Sequence, residues 1–258
     1  MDYRTALEHL RLKKTGWDTA GFSNDDWAAW DYLSDLPTED WERAPKGAAD
    51  GVVIIGKAGG HKVAPWMEPG WEFWGMNEQH RGDVGNPHLS LYDRWFQLHP
   101  PHYLQRHYPK GLRDLEVWWT RKWGIPCYLD CVYPAFPDSV AYPLDEVEAL
   151  TPFGWYHASS MDWMMALAIL EGFKRIILAG ISISTYPITD GEPLSSRAAL
   201  EYWVGVAHGR GIEVEIAGPF GHLFKILHMA VHESKLQYGF EREPGHDLAE
   251  HSEWDDHR

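Results

Sequence analysis

The stretch 157-HASSMDWMMALAILEGFKRIILAGISIS-184 decides the fold. It reads as a small-residue turn, an apolar helix over 160–172, a short basic link and a buried strand over 175–181. A histidine and two serines, His157, Ser159 and Ser160, stand at the mouth of the helix. Small hydroxyl residues are ordinary N-caps. The same residues also leave a helix N-terminus, with its partial positive charge, open to a phosphate. The segment alone leaves both readings standing.

Working outward, the same alternation repeats. "VVIIG" (52–56) is a short apolar strand, followed by "WEFWGMN" (71–77), "RWFQLH" (94–99) and "PCYLD" (126–130). The segment 102–124 contains a helix that Pro109 must interrupt. A helix over 195–211, closed by glycine, precedes a sixth strand over 212–218. Short apolar strands alternating with helices predict an α/β, Rossmann-like fold with a mostly parallel, doubly wound sheet. The segments 52–56 and 175–180 are expected side by side near its centre.

The ends read differently. In residues 1–50, Tyr3, Ala6, Leu7 and Leu10 fall on one helical face, and tryptophans then alternate with acids up to a linker at 44–50. The expected organisation is a helical, Trp- and acid-rich N-terminal extension over 1–50, a nucleotide-binding catalytic domain over 51–232, and an acidic, solvated tail over 233–258. The formal charge is −15, of which each end contributes −5. That balance disfavours generic binding to a nucleic-acid backbone or an anionic membrane, while leaving room for a local basic groove. No run of eighteen apolar residues and no basic-then-apolar start is present, so the expected location is cytoplasmic. Cys127 and Cys131, spaced C-x₃-C, read as two buried thiols of a reducing compartment, with a metal pair as the weaker alternative.

In an open α/β sheet, ligands sit at the carboxyl ends of the strands. After the first strand comes "GKAGGH" (56–61), whose glycines let backbone approach a ligand and whose Lys57 can meet phosphate charge. After the second comes Asn77, a carboxamide that both donates and accepts. Asp130 and Cys131 follow the fourth. Arg197 and Glu201 open the last helix, either as an anion contact or as a surface i,i+4 pair. His228 and His232 have i,i+4 spacing, with His222 nearby, but the H-E-x-x-H glutamate is missing and no metal site is expected.

The ordered set "VVIIGKAGG", "FWGMN", "HASSMDWMMALAILEGFKRIILAGISIS" and "EYWVGVAHGRGIEVEIAGPFGHLF" resembles the bacterial lipooligosaccharide sialyltransferases with a single Rossmann-like domain. It is similar as well to a group of phage proteins sharing that core, and more distantly to the archaeal-type 6-hydroxymethylpterin diphosphokinase. The resemblance spans about 52–224. It implies that Gly56, Lys57, Gly59 and Gly60 match the family's nucleotide-holding Gly-Asn-Gly-Pro-Ser loop, with Lys57 where an asparagine is usual. Asn77 matches the family's second-strand asparagine. Ala158, Ser159 and Ser160 match its Thr-Ser-Gly turn, and Tyr186 stands for a phosphate-binding tyrosine. The family's Gly-Ile-Asp strand end is Gly180-Ile181-Ser182 here, and the segment that carries its catalytic histidine has none.

The nucleotide-binding set implied is therefore Gly56, Lys57, Gly59, Gly60, Asn77, Ser159, Ser160 and Tyr186, to which the reading of the last helix adds Arg197 as an anion contact. His157, Asp190 and Glu192 are the candidates for the missing base. The chain also lacks D-x-D, the metal-holding pair of many nucleotide-sugar enzymes. The expectation is a transferase that needs no metal or cofactor and uses a nucleotide-activated donor, above all a nucleotide sugar. Its acceptor would be a small molecule, a glycan or a modified base. Two alternatives stand beside it: a diphosphokinase-like phosphotransferase, and a nucleotide-binding or interaction module without turnover.

Overall fold

The computed structural model describes residues 2, 5–6, 23–26, 28–29, 44, 47–56, 64–80, 91–107, 109, 124–181 and 191–217. Seven strands form one sheet: β1 (Gly51–Ile55), β2 (Trp71–Met76), β3 (Arg94–Phe96), β4 (Cys127–Leu129), β5 (Ser139–Ala141), β6 (Arg175–Ala179) and β7 (Glu213–Ala217). The order is β5-β4-β3-β2-β1-β6-β7, and all six ladders are parallel. The helices are α1 (Pro101–His107), α2 (Leu144–Glu148), α3 (Ser160–Leu170) and α4 (Gly191–Gly209). The protein is thus an α/β, Rossmann-like fold.

The burial pattern explains the parallel sheet. Every residue of β1 is buried. Val53 and Ile55 join Phe73, Trp95, Ile177 and Ala179 on one face, with Trp66, Tyr92 and Leu104 of α1 over them. Val52 and Ile54 join Trp74, Phe96, Ile176 and Leu178 on the other, under α3 and α4. A strand covered on both faces has to be apolar at every position, which is why these runs show no polar alternation. Met164 to Ile169 of α3 are all buried, so this helix is apolar all round rather than amphipathic. Ala6 and Ala29 of the N-terminal segment, both fully buried, belong to the first face.

Four expectations are corrected. β5 was not anticipated; it has three half-buried or exposed residues between Pro137 and Pro143, too short and too polar for a periodic signal. The second strand stops at Met76, because Asn77 turns into the left-handed region with φ 51. The last long helix begins at Gly191, ahead of the expected 195. Cys127 is buried in β4, but Cys131 lies beyond the strand and is exposed, so the two thiols do not share an interior. The tail and the histidines 222, 228 and 232 lie outside the described residues, as do Tyr3, Leu7 and Leu10. No helix among the described residues is long and apolar enough to cross a membrane.

Candidate functional site

Contacts at its two ends fix the direction of α3. At its start, the Ser160 hydroxyl donates to Asn77 Oδ1 at 3.4 Å, beside the carboxyl end of β2. At its far end, Glu171 accepts from Arg94 Nη1 at 2.6 Å, at the amino ends of the strands. Arg94 also meets Glu72 at 2.9 Å and lies 4.7 Å from the Trp74 ring. Burial there works against the guanidinium charge, but the two carboxylates outweigh it and hold Arg94 above its ordinary range. So α3 runs antiparallel to the strands, and its N-terminus sits on their carboxyl edge.

That edge reverses at β1. The chain steps outward through β2, β3, β4 and β5, then returns to the other side of β1 for β6 and β7. This is the switch point at which open α/β sheets hold ligands. Gly56 follows β1 there, and its N–H donates to Ala179 O at 2.7 Å. A Cβ on Gly56 would overlap the Gly180 carbonyl, so the two glycine backbones are in direct contact.

Carboxamides line the adjoining strand ends. Gln79, 1% exposed, donates from Nε2 to Ile55 O at 2.8 Å and accepts the Met76 N–H at 3.0 Å. It staples the ends of β1 and β2 together. Asn77 accepts the Trp95 indole N–H on its backbone oxygen at 3.1 Å. Its left-handed backbone is one that asparagine tolerates better than most residues. Gln97 follows β3 and is fully buried. Its Oε1 accepts the His99 N–H at 3.3 Å, which turns the NH₂ group away, and Nε2 has no partner among the described residues. A buried amide donor left unpaired costs about 1–3 kcal/mol, so its persistence calls for a partner supplied from elsewhere.

The turn before α3 is built around Asp162. Ser159 is the N-cap, with extended φ −154 and ψ 161. Asp162 Oδ2 accepts the N–H groups of Ala158 at 3.0 Å and Ser159 at 2.8 Å, and the Ser159 hydroxyl at 2.9 Å. Its Oδ1 lies 2.9 Å from His157 Nδ1. The His157 side chain is 1% exposed and that of Asp162 0%. The imidazole is clamped between Trp163, at 3.4 Å and 10°, and Trp203, at 4.8 Å and 20°. From α4, the Ser196 hydroxyl donates to Ala158 O at 3.2 Å and the Trp203 indole to Tyr156 O at 3.0 Å. Tyr142 donates to Trp163 O at 2.8 Å; burial first, and then the Asp162 charge, push its phenol far above the ordinary range.

The structure therefore brings Asn77 and Ser160 together and sets Gly56 at the switch point. Expected to face a cleft, His157 is instead packed between indoles, and expected for a ligand, the Ser159 hydroxyl is bonded internally to Asp162. Arg197 does pair with Glu201, at 2.8 Å, but as a buried rather than a surface group, its side chain 6% exposed. Glu192 lies in the first turn of α4. Lys57, Gly59, Gly60, Tyr186 and Asp190 lie outside the described residues. Sequence reasoning passed over Gln79, Gln97 and Asp162. The available signal was a polar residue closing an apolar strand in "RWFQLH", and an acid two residues into the helix after "SS".

No protein-family model matches the chain, and no curated protein does. Among solved structures it is similar to the Campylobacter jejuni sialyltransferase CstII in complex with the substrate analogue cytidine-5'-monophosphate, at 15% identity and TM-score 0.43, covering 69% of this chain and 84% of that one. It is also similar to the apo α-2,3-sialyltransferase of the same organism, at 15% identity and TM-score 0.43, covering 69% and 79%. A third is CST-II in complex with a trisaccharide acceptor and CMP, at 16% identity and TM-score 0.43, covering 68% and 84%. The fold and the site described above stand on strand order and contacts alone.

Proposed function

We propose that this protein is a glycosyltransferase that holds a nucleotide-sugar donor across the carboxyl ends of β1, β2, β3 and β6. The observation that carries the reading is the collection of polar groups on that edge where the strand order reverses. Asn77 and Ser160, both half-buried, meet there. In an α/β sheet this is where a ligand is held.

In the reaction, the acceptor hydroxyl oxygen bonds to the anomeric carbon while the bond from that carbon to the donor phosphate oxygen breaks. The acceptor proton passes to a base, and the nucleotide leaves with the electron pair. Asp190 and Glu192 are the candidates for that base, because His157 has no exposed face from which to reach a hydroxyl. Orientation of donor and acceptor on a rigid edge supplies much of the rate. The acceptor is a glycan or, for a phage-encoded chain, a modified base.

The test is a thermal-shift screen with CMP-, UDP- and GDP-sugars and the free nucleotides, followed by assay of nucleotide release with a glycan panel. Stabilisation by a nucleotide sugar, with acceptor-dependent release of its nucleotide, supports the reading. Magnesium-dependent release of AMP from ATP would replace it by diphosphate transfer. Tight nucleotide binding with no turnover would replace it by a sensing module.

A further inference from the structure

The strand ends beside Asn77 hold an imidazole that the reaction above does not use. β3 stops at Phe96, and His99 stands three residues beyond it, on the carboxyl edge and one strand over from Asn77. Trp95 of the same strand donates its indole N–H to Asn77 O at 3.1 Å, so the two strand ends are joined. His99 is exposed, yet it is held in place. Its N–H donates to Oε1 of the buried Gln97 at 3.3 Å. Pro100 and Pro101 follow, and a residue before proline is pushed to extended backbone. The His99 ring stacks on Tyr103 of α1, with centroids 5.0 Å apart and planes at 15°. Stacking covers a face of an imidazole, not the edge that carries both nitrogens. Two other described histidines are placed differently. His157 is walled in by Trp163 and Trp203, and His208 lies in the last turn of α4, whose end leads into the amino end of β7.

We propose that His99 is the base that takes the acceptor's proton, the role given above to Asp190 or Glu192. This rests on the glycosyltransferase reading and adds a residue to it. Adjacent strands lie about 4.8 Å apart, so the end of β3 is about 10 Å from the end of β1 at the switch point. A donor with its phosphate over the contact of Gly56 with Gly180, and its sugar directed along the edge past Asn77 and Ser160, brings the anomeric carbon toward β3. The acceptor then enters from the side of β3 and β4. An imidazole nitrogen of His99 accepts the hydroxyl proton as the acceptor oxygen bonds to the anomeric carbon and the bond to the donor phosphate oxygen breaks. The nucleotide leaves with the electron pair, and the imidazolium afterwards releases its proton to water. Imidazole suits the step because it titrates near neutrality. A ring fixed by Gln97, two prolines and Tyr103 meets the acceptor without first having to be ordered.

The test measures acceptor-dependent nucleotide release from CMP-, UDP- and GDP-sugars with the glycan panel, and donor affinity by calorimetry. His99→Gln should lower turnover by about 10²–10⁴-fold. Its donor affinity should stay within about twofold of the parent's and its melting temperature within a few degrees. His102→Gln, a nearby exposed histidine, should turn over like the parent. Imidazole at tens of millimolar should restore part of the turnover of His99→Ala and do nothing for Asp190→Asn or Glu192→Gln. Turnover of His99→Gln within about fivefold of the parent would overturn the proposal. So would a loss matched by an equal loss of donor affinity, or an equal effect of imidazole on the parent and on His99→Ala. A parent that releases no nucleotide with any acceptor refutes the glycosyltransferase reading and this role with it. An active parent beside an equally active His99→Gln refutes this role alone.

Discussion

Gly56 and Gly180 touch backbone to backbone at the point where the sheet reverses. The Gly56 N–H donates to Ala179 O at 2.7 Å, and a Cβ on Gly56 would overlap the Gly180 carbonyl and approach Ile181 Cγ1 to 2.9 Å. Both obstacles are buried just past the end of β6 and have little room to yield. Gly56→Ala should therefore destabilise the protein by about 1–3 kcal/mol, the usual penalty of overpacking. Urea unfolding measures this as a lower midpoint at unchanged slope. A midpoint equal to the parent's would mean that β1 and β6 do not approach each other this closely at their ends.

His157→Phe keeps a flat ring between Trp163 and Trp203 but removes the bond to buried Asp162. Loss of a hydrogen bond to a charged group predicts destabilisation by about 1.5–3 kcal/mol. Ligand affinity and turnover should fall together, in proportion to the folded fraction. A turnover loss of a hundredfold or more in a variant as stable as the parent would give His157 a chemical role and contradict its packed position.

Ser159→Ala removes the N-cap hydroxyl, and the expected loss is about 0.5–2 kcal/mol of stability. Affinity for a nucleotide sugar should stay within twofold, because that hydroxyl is directed at Asp162. A large affinity loss at constant melting temperature would return Ser159 to the ligand contacts.

Much of this fold can be read from the chain, and the reason is particular. β1, β2 and β6 are buried on both faces, so each reads as an unbroken apolar run, and the glycines and basic residues between them mark the ends. β5 gave no such signal, because at the sheet edge its three residues are half exposed and need no apolar pattern. The site was legible in part. Asn77 and Ser160 follow a strand and open a helix, positions that topology sends to one edge. The one local sign that Ser159 caps the helix while Ser160 opens it is the capping-box spacing of Ser159 and Asp162. That division is made by Asp162, and the indoles that clamp its partner His157, Trp163 and Trp203, stand forty residues apart, joined only when α3 packs on α4. Gln97 was hidden for a similar reason: an unpaired amide is visible only once its surroundings are assembled.

Tyr142 gives the account a pH signature. Its phenol is buried, and its folded-state value is raised above the unfolded value of about 10. The stability it contributes is present in full below pH about 10 and is lost progressively above it, because only the unfolded state ionises readily there. Tyr142→Phe should flatten that alkaline decline while giving up the hydrogen bond to Trp163 O. Unfolding free energies at several alkaline pH values check this; parallel curves for parent and variant would contradict the burial.

In the proposed function a nucleotide sugar lies along the carboxyl edge, where the half-buried Asn77 and Ser160 meet. The most direct measurement is calorimetric titration of CMP-, UDP- and GDP-sugars into the parent and into Ser160→Ala, which removes the hydroxyl at the carboxyl edge and suits a helix start. The account predicts that one donor class binds the parent and binds the variant about tenfold or more weakly, the worth of one hydrogen bond to a ligand, while the free variant melts within a few degrees of the parent. Binding of that donor to Ser160→Ala with the parent's affinity, or no binding of any donor to the parent, would contradict it.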